Sequence, residues 1–96
     1  MYGKPRPIDT TLYAIREKVL HYYVDMDSLT RAKIKGLYIK TESLMKPLVL
    51  KDNRYVLTIN PIELKNIQSS CPYQIKVVYK DGKEAELIKG QIVIVR

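Results

Sequence analysis

Leu48-Val49-Leu50-Lys51-Asp52-Asn53-Arg54-Tyr55-Val56-Leu57-Thr58-Ile59 is the stretch on which the fold turns. Two runs of aliphatic, aromatic and β-branched residues flank Asp52-Asn53, a pair that tolerates the positive φ angles of a two-residue hairpin turn. Closing the loop on those two residues sets Leu50 opposite Tyr55 and Leu48 opposite Leu57, so apolar side chains share a face. A slip of one residue would turn that face to water.

Downstream, Asn60-Pro61-Ile62-Glu63 reads as a helix start: Asn60 as N-cap, Pro61 at the first helical position and Glu63 in capping-box position. The helix is short, ending before Ser69-Ser70-Cys71-Pro72. Residues 73–79 then alternate, with Ile75, Val77 and Tyr79 against Gln74, Lys76 and Lys80. A two-residue turn at Asp81-Gly82 would mix Glu84 and Glu86 into the apolar face. A three-residue loop of Lys80, Asp81 and Gly82 instead sets Ile75 opposite Leu87, Val77 opposite Ala85 and Lys76 opposite Glu86. Gly90 is expected to break the chain. Ile92-Val93-Ile94-Val95 is apolar on both faces, as in a strand covered on each side.

Upstream, residues 1–8 hold two prolines and a glycine and are expected to form a flexible N-terminal arm. Leu12, Ile15, Val19 and Tyr22 or Tyr23 fall at the i, i+3, i+4, i+7 spacing of a buried helical face, which predicts a helix ending near Val24. Asp25, Asp27 and Ser28 supply turn and capping chemistry. Residues 29–45 read both ways. A short helix to about Ile34 and a strand after Gly36 is the preferred assignment, because an internal glycine costs a helix about 1 kcal/mol relative to alanine.

The expected fold class is therefore α+β. An N-terminal helix, or two, precedes a small antiparallel β-sheet or partly open barrel with one short helix inserted, in one domain over residues 9–96. Over residues 33–95 the order of elements resembles that of OB-fold barrels, in which a helix follows the third strand. An SH3-like barrel or a helix-capped antiparallel sheet fits the same order. The resemblance implies a strand face able to bind nucleic acid, and it assigns no residue a role.

The 96-residue chain is the size of one domain, and its 46% apolar and 28% charged composition is that of a folded globule. Its net charge of +7 makes polyanions the first suspected partners. Residues 25–51 are densest, with six Lys or Arg against three Asp or Glu. One cysteine, Cys71, and one histidine, His21, exclude an intrachain disulfide and a four-ligand Cys/His zinc site. No apolar run reaches membrane-spanning length and no secretion signal is present, so a cytoplasmic location is expected.

Catalytic groups are sparse. His21 has no partner base at useful spacing, Cys71 reads as a small buried hydrophobe, and Asp25 and Asp27 read as a capping turn rather than a metal site. Phosphate-loop, dinucleotide, nucleophile-elbow and zinc-protease motifs are absent from the sequence. A helix-turn-helix is disfavoured, since Arg31 and Lys35 stand where that motif packs apolar side chains. What remains is a pairing of cations with rings. Arg31, Lys33, Lys35, Tyr38 and Lys40, extended by Lys51 and Arg54 at the hairpin turn, combine phosphate neutralisation with a stacking ring. The expected function is a non-enzymatic, cofactor-free nucleic-acid-binding module. The alternative is a protein-interaction module, a homo-oligomer formed by pairing of the C-terminal strand.

Overall fold

Alternation, not helical spacing, rules residues 12–25. In the computed structural model, which describes residues 8–67 and 69–95, Leu12, Ala14 and Val24 are buried while Tyr13, Ile15, Val19 and Tyr23 are exposed. The same residues carry both periods: Leu12, Ile15 and Val19 suit a helix, and Leu12, Ala14, then Leu20, Tyr22, Val24, suit two strands. The rings and branched side chains of Tyr13, Ile15, Val19, Tyr22, Tyr23 and Val24 favour the strand, where they lie flat on a pleated surface. The N-terminal helix expected over this stretch does not form.

In chain order the elements are β1 (Ile8–Asp9), β2 (Leu12–Ile15), β3 (Leu20–Asp25), α1 (Ser28–Lys33), β4 (Ile34–Lys40), β5 (Met45–Pro47), β6 (Val49–Lys51), β7 (Arg54–Ile59), α2 (Pro61–Leu64), β8 (Ser70–Tyr79) and β9 (Glu84–Val95). The α+β class is thus corrected to a mostly β fold, with two short helices among the described residues. The arm expected over residues 1–8 lies outside the described residues except for Ile8, which opens β1.

The strands form two sheets. In the larger one the order is β1–β9–β8–β4–β5, with β2 also against β9; β1 and β2 run parallel to β9 and the remaining pairs are antiparallel. The smaller sheet is antiparallel in the order β3–β7–β6. Residues 45–51 serve both sheets: β5 pairs with β4, Leu48 donates its N–H to the Leu37 carbonyl at 2.9 Å, and β6 turns away to pair with β7. The inner faces meet in one core that includes Ile39, Ile75 and Ile92 from the larger sheet and Leu57 and Ile59 from the smaller, all fully enclosed. Each such side chain contributes about 1.5–3 kcal/mol by burial. Leu64 and Ile67, on and just beyond α2, complete the same core.

Local turn chemistry behaves as the sequence predicts. Asp52 and Asn53 take φ of 51° and 65°, and Leu50 lies opposite Tyr55, but the ladder ends at Val49 and Val56, so the expected Leu48–Leu57 pair does not form and Leu48 turns to Leu37 instead. Gly82 takes φ of 91° in the three-residue loop, with Val77 opposite Ala85 and Lys76 opposite Glu86. Ile75, however, faces Ile88 rather than Leu87, because a bulge at Ile75/Lys76 sets Leu87 out of register. The capping box on α2 is present: the Asn60 N–H donates to Glu63 Oε1 at 2.9 Å, and the same oxygen takes the Lys46 ammonium at 2.8 Å. Asp27, rather than Ser28, caps α1, its Oδ1 accepting the Thr30 N–H at 2.7 Å.

Gly90 does not interrupt the chain; it lies inside β9. Its role is to admit the backbone of Thr10, for a Cβ placed there would lie 1.9 Å from the Thr10 carbonyl oxygen. Tyr73, opposite Gly90 on β8, reaches across β9 to donate its hydroxyl to that same carbonyl at 2.7 Å. Residues 92–95, expected to seek a partner strand in a second copy, have β8 on one edge and β2 on the other.

Two outcomes follow. Gly90→Ala should lower stability by about 3 kcal/mol or more, because backbone rather than a flexible side chain stands in the way, while Gly36→Ala, which meets open space, should stay within about 0.5 kcal/mol; urea midpoints compare them. The Asn60 N–H, followed by the Lys46 ammonium, holds the Glu63 carboxyl below its ordinary value. Its contribution is therefore complete above the unfolded value of about 4.3 and is lost as pH falls through the lower folded one, so Glu63→Gln should flatten that part of the acid-unfolding curve.

Candidate nucleic-acid interface

Helix α1 is pinned between two turns, and this gathers cations at one end of the molecule. On one flank the Arg31 guanidinium donates to the Met26 carbonyl and, at 3.2 Å, to the carbonyl of Asn53 in the β6–β7 turn. On the other, the Lys80 N–H of the β8–β9 turn donates to the Lys33 carbonyl at 3.1 Å. The strip so formed runs from Lys51 and Arg54, over Arg31, to Lys33 and Lys35, and on to Lys80 and Lys83. Lys35 is thrust outward as the extra residue of a bulge between Ile34 and Gly36. Lys33, Lys35, Lys51, Lys80 and Lys83 are all exposed.

Three carboxylates at this end are engaged locally, while Asp52 in the β6–β7 turn is exposed. Asp27 caps α1, and the Thr30 N–H it accepts holds its pKa below the ordinary value. Asp81 Oδ1 accepts the Lys83 N–H at 2.9 Å inside its own turn. Asp25 takes Arg54 in a two-point ion pair, Nε to Oδ1 at 2.6 Å and Nη2 to Oδ2 at 3.3 Å. The Arg54 guanidinium also lies over the Tyr23 ring, 4.6 Å from its centroid.

Of the seven residues singled out in the sequence, Arg31, Lys33, Lys35, Lys51 and Arg54 come together here, Arg31 as the structural clamp. Tyr38 and Lys40 do not. They lie further along β4 on the outer face of the larger sheet, Lys40 about 17 Å from Lys35 along the strand. The Tyr38 hydroxyl donates to Glu84 Oε1 at 2.5 Å, which pushes its pKa up and sets a carboxylate beside the ring. A phosphate approaching Tyr38 would meet that charge. Lys80 and Lys83 were missed because the sequence reading uses Lys80 only as a loop residue and does not weigh Lys83.

A ring that does accompany the cations is Tyr23, which the helical reading of residues 12–24 offered, as an alternative to Tyr22, for a packed face. Cross-strand partners share a face, so His21 with Thr58 and Tyr23 with Val56, beside Val49, form the outer surface of the smaller sheet. With Lys51, Asp52 and Arg54 they line an open depression of about 550 Å³. His21 Nδ1 and Thr58 Oγ1 are 3.5 Å apart at its far end.

Elsewhere the chemistry is quiet. Burial, followed by the charge of Glu42, pushes the Cys71 thiol above its ordinary value, the opposite of an activated nucleophile. Among the described residues no three His, Cys, Asp or Glu side chains converge on a metal site. No helix among them is long and apolar enough to cross a membrane. No protein-family model, curated protein or solved structure matches the chain.

The two arginines should separate in stability measurements. Arg31→Ala removes a half-buried guanidinium that two carbonyls accept and should cost about 1–2 kcal/mol. Arg54→Ala breaks an exposed ion pair and should cost no more than about 1 kcal/mol. Chemical denaturation of both variants checks the order.

Proposed function

We propose that the protein is a non-enzymatic nucleic-acid-binding module whose phosphate contacts come from the cationic end built around α1. The observation that carries this reading is the convergence of three separate segments, residues 31–35, 51–54 and 80–83, on one end through hydrogen bonds to the two flanks of α1. Exposed lysines there are free to exchange counterions for phosphates, which is the dominant, salt-dependent term in such binding. Two of the arginines serve the fold and its surface instead, Arg31 on carbonyls and Arg54 on Asp25 and Tyr23. Phosphate contact therefore falls mainly to Lys33, Lys35, Lys51, Lys80 and Lys83. Lysine acts as a point charge without bidentate geometry, which fits backbone contact rather than base readout.

A protein-interaction role through the C-terminal strand loses its support, since β9 finds both its neighbours within the chain. A reducing, cytoplasmic setting suits the lone Cys71.

Fluorescence anisotropy with labelled single- and double-stranded DNA and RNA, from ~50 to ~200 mM salt, tests the proposal. Combined substitution of Lys33, Lys35 and Lys83 by alanine should reduce the log–log salt slope by about 2, since each lost phosphate contact removes about 0.7–0.9. An unchanged slope removes the cationic end from the interface.

A further inference from the structure

The outer face of the smaller sheet offers what a phosphate-binding strip lacks, namely rings and apolar side chains open to solvent beside cations. Tyr23 is 49% exposed and Val49 63%, on the two edge strands, β3 and β6, that flank β7. Among the described residues no other element packs over them: the surface is the floor of the open depression, with Lys51 and Arg54 at its turn end and His21 and Thr58 at the other.

We propose that this face is a stacking platform for the bases of single-stranded nucleic acid, with Tyr23 receiving a base and Lys51 holding the adjoining phosphate. The inference rests on the nucleic-acid reading above and adds the strandedness of the ligand. His21 and Tyr23 are two residues apart on one face of β3, hence about 7 Å apart. That is roughly twice the ~3.4 Å rise per nucleotide of a stacked strand. A chain with bases on both rings must be extended and unstacked, a shape open to a single strand and closed to a duplex, whose bases are buried between its phosphates.

The remaining groups fit this occupant. Val49 and Val56 give an apolar floor for base faces, and the Arg54 guanidinium, 4.6 Å from the Tyr23 ring centroid, is a second plane on which a base stacks. The two carboxylates near the platform, Asp25 and Asp52, stand at its turn end. Asp25 is neutralised by Arg54, and Asp52 lies beside Lys51 in sequence, so the middle of the face around Tyr23 and Val56 carries no negative side chain of its own strands. Charge complementarity thus directs the backbone to the turn end and the bases to the middle.

The chain has no tryptophan, so Tyr23→Trp places a single indole reporter on the platform. Adding a short oligothymidylate should quench its emission, and adding a duplex of equal length should not. Tyr23→Ala should weaken oligothymidylate binding about tenfold with the salt slope and duplex affinity unchanged, because stacking is not an ionic term. Tyr23→Phe should bind as the unmodified chain does. All three substitutions are at an exposed position, and thermal melts verify that they fold. If Tyr23→Ala binds oligothymidylate normally, or weakens single strand and duplex alike, the platform is overturned. The lysine triple variant then tells the two ideas apart: its weakened binding leaves the phosphate reading standing, whereas a chain that binds no nucleic acid even at low salt overturns both.

Discussion

The carbonyl of Thr10 packed against Gly90 is the constraint on which the architecture depends. Because residue 90 has no side chain, the backbone of residues 8–15 comes close enough to β9 to pair with it in parallel, and Tyr73 seals the approach with a hydrogen bond to the same carbonyl. That pairing buries Leu12 and Ala14, covers the second edge of residues 92–95, and fixes where the chain must turn at residues 16–19 to start the smaller sheet. Arg16 ties this turn down, its guanidinium donating to the Leu64 carbonyl at the end of α2 at 3.5 Å and to the Ile67 carbonyl just beyond it at 3.1 Å. The burial of Tyr73 needed for this arrangement pushes its phenol well above the ordinary value. Its hydroxyl therefore stays a donor at any pH the protein meets.

Interactions within a few residues were legible in the sequence. The Asp52-Asn53 turn, the Gly82 loop and the Asn60/Glu63 box all depend on neighbours close along the chain, and each appears where turn and capping chemistry places it, whereas the strand expected after Gly36 begins at Ile34 and takes Gly36 inside it. Residues 12–24 were misread because their apolar positions satisfy both a period of 3.6 and a period of 2. What decides between them is a partner strand some 80 residues away for residues 12–15 and some 30–40 away for residues 20–24, which no local window contains. Gly90 was misread for the same reason: a glycine that breaks a strand and a glycine that admits a neighbouring backbone look identical until the neighbour is known.

The candidate site divides along similar lines. Cations close together in sequence, from Arg31 to Lys35, were found, and so were those flanking the hairpin turn. Tyr38 was chosen for its place among them, yet side chains alternate along β4 and its hydroxyl finds Glu84. Tyr23 was set aside as a helix residue and instead stands next to Arg54, because β3 pairs with β7 and carries Asp25 opposite Arg54. One error in period thus moved both a strand and a ring.

The pairing of residues 12–15 with 92–95 also bears on how the molecule comes into being. It joins segments some 80 residues apart, so the loop closed by that contact is long and its entropy must be met before the contact rewards it. During synthesis the β6–β7 hairpin can form early from local contacts, but β2 has no neighbour until β9 has left the ribosome. Until then Tyr13 and Ile15 sit on an unpaired strand edge, the kind of surface that draws other chains. The interval between translation of residue 15 and residue 95 is consequently the period of greatest exposure to misassembly, and holding chaperones would act there rather than on the finished fold.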